Sequence, residues 1–399
     1  MLYGCGQPCY RDSAEAFLHM NILSEKSNTV SFCLEKERKH MDLLKKLLCV
    51  FLAGVLIMTA FSIASAGTPG EEYPVKREDV VIRDPFVLVY EGKYYMYGTG
   101  LNPGGYGCVV SEDLENWSAP HAVYSFPEGF DVAGDYWAPE CHYYEGSFYL
   151  FATYRIGSTD KRGTAVFRAD HPLGPFEMIS DGPVTPHNTD CIDGTLYVDP
   201  DGQPWIVYVG EWTSAEDGIG DMRCAKLSDD LSKTVSDAAV LFKADSPLWT
   251  DNGVTDGPFL YTTSSGRLIM LWSNMSPSGY ALASAVSVSG KVTGPWLQSV
   301  SPLYQKDGFH ENDGGHGMIF RDLDGNLRLS LHSPNYSNET DHEKAVFLYV
   351  YDVGGSIVVK DQSSRFYKLL SAVICSFFKM INKFRSGFSV SVSVSDSQC

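Results

Sequence analysis

The stretch Arg83-Asp84-Pro85-Phe86-Val87-Leu88-Val89-Tyr90, followed by Glu91-Gly92-Lys93 and then Tyr94-Tyr95-Met96-Tyr97, holds the pattern that decides the fold. Both apolar runs have strand length and are rich in the β-branched and aromatic residues that pack on a pleated surface. Between them Glu91-Gly92 tolerates positive φ, so the two runs read as a hairpin. The pattern returns as Trp137-Ala138-Pro139-Glu140-Cys141-His142-Tyr143-Tyr144 with Phe148-Tyr149-Leu150-Phe151, and as Ile192-Asp193-Gly194-Thr195-Leu196-Tyr197-Val198-Asp199 with Trp205-Ile206-Val207-Tyr208. Two further copies begin at Thr255-Asp256-Gly257-Pro258-Phe259 and at Gly315-His316-Gly317-Met318. Five copies at a period of roughly 53 to 63 residues leave room for about four strands each, the unit of a propeller blade. The expectation is an all-β, five-bladed β-propeller over residues 67–353.

If the first strand of each blade lines the central channel, the residues that open those strands meet at one mouth. They are Asp84, Glu140, Asp193, Asp256 and His316. The ends of the second strands return to the same mouth, bringing Glu211 and Trp212, Trp272 to Asn274, and His332 to Asn335. An Asp-Pro or Asp-Gly pair taken alone reads as a turn. Their shared place in the repeat argues instead for a site, because like charges gathered in a partly dry cleft cost stability and raise one another's pKa.

The rest of the composition narrows the partners. With 49 acidic and 31 basic side chains the net charge is −18, which disfavours nucleic acid and anionic membranes. The 37 glycines and 13% aromatics suit tight turns and the stacking of rings on sugar faces. Ahead of the repeat, Met41 opens a segment with Lys45 and Lys46, the apolar run Leu47 to Ile63, and Ala64-Ser65-Ala66. That order is a signal peptide within a leader covering residues 1–66, with Met41 as the expected true start. The competing reading keeps residues 1–40 and makes the run a membrane anchor. Residues 354–399 read as a short detached C-terminal tail without assigned chemistry. Cys108, Cys141, Cys191 and Cys224 fit no CxxC-type metal site and leave one or two disulfides open.

The run Ile82-Arg83-Asp84-Pro85-Phe86, with Trp137-Ala138-Pro139-Glu140, Ile192-Asp193-Gly194-Thr195-Leu196 and Gly315-His316-Gly317, resembles glycoside hydrolase family 43. The resemblance covers roughly residues 75–353. It implies an inverting glycosidase acting on arabinofuranosyl or xylosyl linkages of plant-type poly- or oligosaccharides, with no obligate protein partner. Asp84 matches the family's general base, Asp193 the aspartate that orients the acid and adjusts its pKa, and Asp256 the general acid. The family usually has Glu-Gly-Pro where this chain has Asp256-Gly257-Pro258, and an aspartate reaches about 1.5 Å less, so Glu211 stands as the alternative donor. No cofactor is implied for the chemistry; His316 resembles a histidine associated with a bound calcium or an ordered water cluster at the propeller axis. Inversion needs a base and an acid about 6.5 to 9.5 Å apart with a water between them.

Trp137 is the expected sugar platform. Phe86, Tyr90, Trp212 and Trp272 divide between platform and inter-blade core, Glu140 reads as a substrate-orienting or structural group, and Phe86 and His332 complete the expected substrate-binding set. Competing functions are a carbohydrate-binding propeller without catalysis and a protein-interaction propeller. A fructan-cleaving propeller would show an Asn-Asp-Pro-Asn-type first motif, which is absent here.

Overall fold

A computed structural model describes residues 72–307, 309–337 and 341–360. The chain forms five antiparallel sheets in sequence order. Blade 1 holds β1 (Val75–Lys76), β2 (Arg83–Tyr90), β3 (Lys93–Thr99), β4 (Gly105–Ser111), β5 (Asn116–Trp117) and β6 (His121–Ser125). Blade 2 holds β7 (Val132–Tyr144), β8 (Ser147–Ile156), β9 (Arg162–Ala169) and β10 (Glu177–Met178). Blade 3 holds β11 (Cys191–Val198), β12 (Pro204–Gly210), β13 (Asp221–Lys226) and β14 (Ala239–Lys243). Blade 4 holds β15 (Asp256–Thr262), β16 (Leu268–Ser276), β17 (Gly279–Ser287) and β18 (Trp296–Gln298), and blade 5 holds β19 (Gly315–Arg321), β20 (Leu327–Ser333), β21 (Lys344–Val353) and β22 (Ser356–Lys360).

The first long strands β2, β7, β11, β15 and β19 touch in cyclic order, β19 returning to β2, so the five sheets close a ring about a channel. The expected propeller is what forms. Its last blade runs past the expected boundary at 353, because β22 pairs with β21 as the outer strand. The leader with its Met41 start, and the tail beyond residue 360, lie outside the described residues.

Each interface between neighbouring blades has its own apolar cluster. Strand β8 shows how the sequence achieves this. Successive side chains of a strand point to opposite faces, so Phe148, Leu150, Ala152 and Tyr154 pack toward blade 1, while Tyr149 and Phe151 pack toward blade 3. A sheet covered on both faces needs a continuous apolar run rather than an alternating one, and that is why the second strands read so strongly. Ring closure between blades 5 and 1 uses Val87, Met96 and Trp117 against Met318 and Phe320, with the amide of Ile82 donating to Glu343 at 3.1 Å. Cys108, Cys141, Cys191 and Cys224 are buried free thiols, so neither of the disulfides left open by the sequence forms among them.

Phe167 is fully buried on β9 against Tyr106 and Tyr124 of blade 1. Phe167→Ala is expected to destabilise the fold by about 3 to 5 kcal/mol through lost burial and a cavity, read as a lower urea midpoint with unchanged far-UV circular dichroism before the transition.

Candidate active site

All five inner strands carry the same irregularity where they leave the channel mouth. The ladder slips between Arg83 and Phe86, Trp137 and Glu140, Ile192 and Thr195, Asp256 and Phe259, and Gly315 and Met318. Within each slip one residue has positive φ: Asp84 at 55°, Ala138 at 43°, Asp193 at 55°, Gly257 at 54° and His316 at 50°. A bulge of this kind bends the strand and re-aims a side chain. The structural repeat is therefore Asp84, Ala138, Asp193, Gly257, His316, which shifts two of the residues expected at one level. Asp256 sits one place before its bulge and still reaches the cleft. Glu140 sits two places after its bulge and does not; it is buried and meets His142 at 3.1 Å.

The same shift corrects Phe86, the counterpart of Glu140 in blade 1. It lies buried between His142 and Phe259, with ring centroids at 4.9 and 6.3 Å, and is core rather than a sugar platform. Trp272 is fully buried as well, and Tyr90 packs on Phe148. Trp137 and Trp212 do face the cleft, a space of about 450 Å³ whose walls also include Arg83, Asp84, Thr99, Asp193, Glu211, Asp256, Tyr280 and His316.

Asp84 is held ionised. Thr99 Oγ1 donates to its Oδ2 at 2.7 Å, and His316 Nδ1 lies 3.1 Å from Oδ1. Burial opposes the charge, but the protonated His316 and then Arg83 outweigh it and hold the carboxyl well below the usual range. Burial likewise opposes charge on His316, yet Asp84 and Asp193, the latter at 3.7 Å, hold it up at about 10, so it carries a proton at neutral pH. His332 behaves oppositely. It is fully buried, its pKa is lowered to about 4 chiefly by burial, and as a neutral ring its Nδ1 accepts the Asp84 amide at 3.2 Å while Nε2 faces Asn335 Oδ1 at 3.2 Å. His332 thus fixes the Asp84 backbone and is not an exposed substrate contact, which corrects the expectation for it.

Asp193 accepts the Gly257 amide at 3.0 Å. Gly257 has no alternative, since a Cβ there would lie 2.7 Å from the His316 ring. Among the described residues the Asp256 side chain meets one donor, the neutral Tyr280 hydroxyl, at 3.0 Å from Oδ2. Burial first and then the Asp193 charge raise Asp256 to about 8, and burial raises Asp193. Glu211 is paired: Arg162 donates to its Oε2 at 3.0 Å while lying 4.7 Å over the Trp137 ring and holding Asp135 at 2.9 Å. Burial pushes Glu211 upward against the pull of Arg162.

A directly bound calcium at His316 does not fit these residues. The Nδ1 of His316 is turned toward Asp84 and Asp193, and among the described residues no group of three or more His, Cys, Asp or Glu side chains is arranged to hold a metal ion. Sequence reasoning passed over Thr99, Arg162 and Tyr280. Thr99 ends β3 opposite Arg83, a place that the rule selecting Glu211 at the end of β12 also covers; Tyr280 opens a third strand and carries no comparable signal.

Residues 74–349 match the family described as glycosyl hydrolases family 43. The chain belongs to that family. It is 25% identical over 179 residues to the extracellular endo-α-(1→5)-L-arabinanase 1 of Bacillus subtilis (strain 168), covering 41% of this chain and 51% of that protein, so the match spans about half of the relative's length. To the extracellular exo-α-(1→5)-L-arabinofuranosidase ArbA of Cellvibrio japonicus (strain Ueda107) it is 23% identical over 313 residues, covering 71% of this chain and 82% of the relative. An endo-arabinase structure from Bacteroides thetaiotaomicron VPI-5482 superposes with a TM-score of 0.64 at 35% identity, covering 72% of this chain and all (100%) of that one.

In this family 43 chain the Asp193 charge helps keep Asp256 protonated. Asp193→Asn is therefore expected to lower the Asp256 pKa, read as loss of the protonated carboxyl band at lower pH than in wild type by infrared titration, with Asp256→Asn identifying the band.

Proposed function

We propose that this protein hydrolyses terminal pentosyl linkages, α-L-arabinofuranosyl units of arabinan first among them, with inversion at the anomeric carbon. The observation that supports the reading best is the opposite state of two carboxyls in one cleft: Asp84 held ionised by cationic neighbours and Asp256 held protonated by burial and Asp193. In an inverting reaction the base removes a proton from water on one face of the sugar while the acid protonates the departing oxygen on the other. Asp84 takes the first role and Asp256 the second. Asp193 orients the acid through Gly257 and raises its pKa.

Glu211 serves as a wall of the pocket. Its proton would have to displace the Arg162 ion pair at 3.0 Å, whereas Asp256 forms no ion pair among the described residues and meets the neutral Tyr280 hydroxyl. Trp137, backed by Arg162, offers the sugar a flat apolar face. The curated relatives support arabinan as substrate and a place outside the cell, and the leader-like run Leu47 to Ile63 is consistent with export. A binding-only propeller needs no such division of protonation states.

Arabinan, arabinoxylan, xylo-oligosaccharide and galactan compared on purified protein test the substrate, and proton NMR of the first product tests the stereochemistry. Arabinan is expected to be cleaved fastest, with the anomer inverted. Asp84→Ala and Asp256→Ala should each lower kcat by about 10² to 10⁴, and Glu211→Ala should raise KM more than it lowers kcat. Because the acid must be protonated, wild-type kcat/KM should fall as pH rises through about 8. No cleavage of any of the four polymers, or a retained anomer, would overturn the proposal.

A further inference from the structure

Tyr280 belongs to no motif of the repeat, yet among the described residues it alone makes a hydrogen bond to the Asp256 side chain. It is buried near the start of β17, and it is clamped from three sides. Its ring stacks on the His332 ring at 5.6 Å with 19° between planes. Its amide donates to Asp313 Oδ2 at 3.0 Å. Gly315 presses on its edge so closely that a Cβ there would lie 2.5 Å from Cε1. His332 is itself fixed by Asn335 and the Asp84 amide. The hydroxyl therefore has one place to be, and that place is set by the same frame that sets Asp84.

We propose that Tyr280 is a positioning residue for the proton donor, holding one oxygen of Asp256 so that the other faces the glycosidic oxygen. The inference rests on Asp256 being that donor. A short carboxyl free to rotate would present its proton in many directions; a hydrogen bond to Oδ2 leaves Oδ1 for the substrate and ties its position to the Asp84 end of the cleft. The charged and titratable groups facing the pair are Asp193, His316 and Asp84 around Asp256, with Arg83, the neutral His332 ring and Asp313 also against Tyr280.

The hydroxyl and mere packing have opposite electrostatic signatures. Burial is the largest influence raising Asp256, and the Tyr280 hydrogen bond lowers it. Loosening the site would admit water and bring the Asp256 pKa down. Removing the hydroxyl alone would send it up.

Tyr280→Phe tests this with the loss of one oxygen. On an arabino-oligosaccharide, whose leaving group needs protonation, kcat is expected to fall about 10- to 100-fold with KM within about twofold. On 4-nitrophenyl arabinofuranoside, whose leaving group departs without a proton, the fall should stay below about threefold. The descending limb of the pH profile should move to higher pH. Infrared titration of the protonated Asp256 band, assigned by its absence in Asp256→Asn, should move the same way. Equal losses on both substrates, or a band that titrates unchanged or at lower pH, would overturn the role for Tyr280. If wild type cleaves no glycoside, the catalytic reading fails, and the infrared titration still decides whether Tyr280 holds Asp256.

Discussion

The imidazole of His316, 3.1 Å from Asp84 and 3.7 Å from Asp193, is the contact on which the rest of the channel mouth depends. Asp84, Asp193 and Asp256 converge in a place with little water, and without a cation their mutual repulsion would force them to protonate or spread apart. Unit charges about 4 Å apart at an effective dielectric of about 20 interact by about 4 kcal/mol. A protonated His316 supplies attraction of that order to its nearest carboxylates. It stabilises charge most on Asp84, which it touches, and least on Asp256, which it does not, so one cation sorts the acids into different states.

That sorting needs a backbone able to hold each side chain at its own angle. At the five bulges four L-residues, Asp84, Ala138, Asp193 and His316, sit at positive φ, with Gly257 in the fifth place. Each such residue costs of order 1 to 3 kcal/mol and persists only where its surroundings over-determine it. The surroundings here are explicit. Asp84 and Asp193 have amides tied to His332 and Thr153, and the His316 amide is tied to Ser273 Oγ at 2.8 Å. Side chains of one blade thus satisfy the bulge of the next, and the ring of sheets and the ring of bulges stabilise each other.

The five hairpins were legible because both faces of every blade are buried, which makes the second strands nearly continuous apolar text, and because their turns use Asp-Gly, Glu-Gly and Ser-Gly. Asp84, Asp193, Asp256 and His316 were legible because their repeat recurs. The phase of blades 2 and 4 was not. Alignment on acidic side chains selects Glu140 and Asp256, whereas the backbone aligns Ala138 and Gly257 with Asp84. A bulge adds one residue to one strand only, and nothing in composition says on which side of a Pro it falls. Phe86 and His332 failed for a related reason: a place two residues after Asp84, or at a strand end that returns to the mouth, does not tell whether a side chain points into the cleft or beneath it. Thr99 meets Asp84 across its own hairpin, where the same end-of-strand rule applies, whereas Tyr280 meets Asp256 from the third strand of its blade, which no local pattern encodes.

The aspartate at 256 is best understood together with that tyrosine. The Tyr280 hydroxyl lies 3.0 Å from Asp256 Oδ2, and the ring cannot retreat because His332 and Gly315 close on it. On the same backbone a glutamate, about 1.5 Å longer, would overrun the hydroxyl or have to turn away from it. A short acid with a fixed donor and a long acid without one are alternative ways to define where a proton sits.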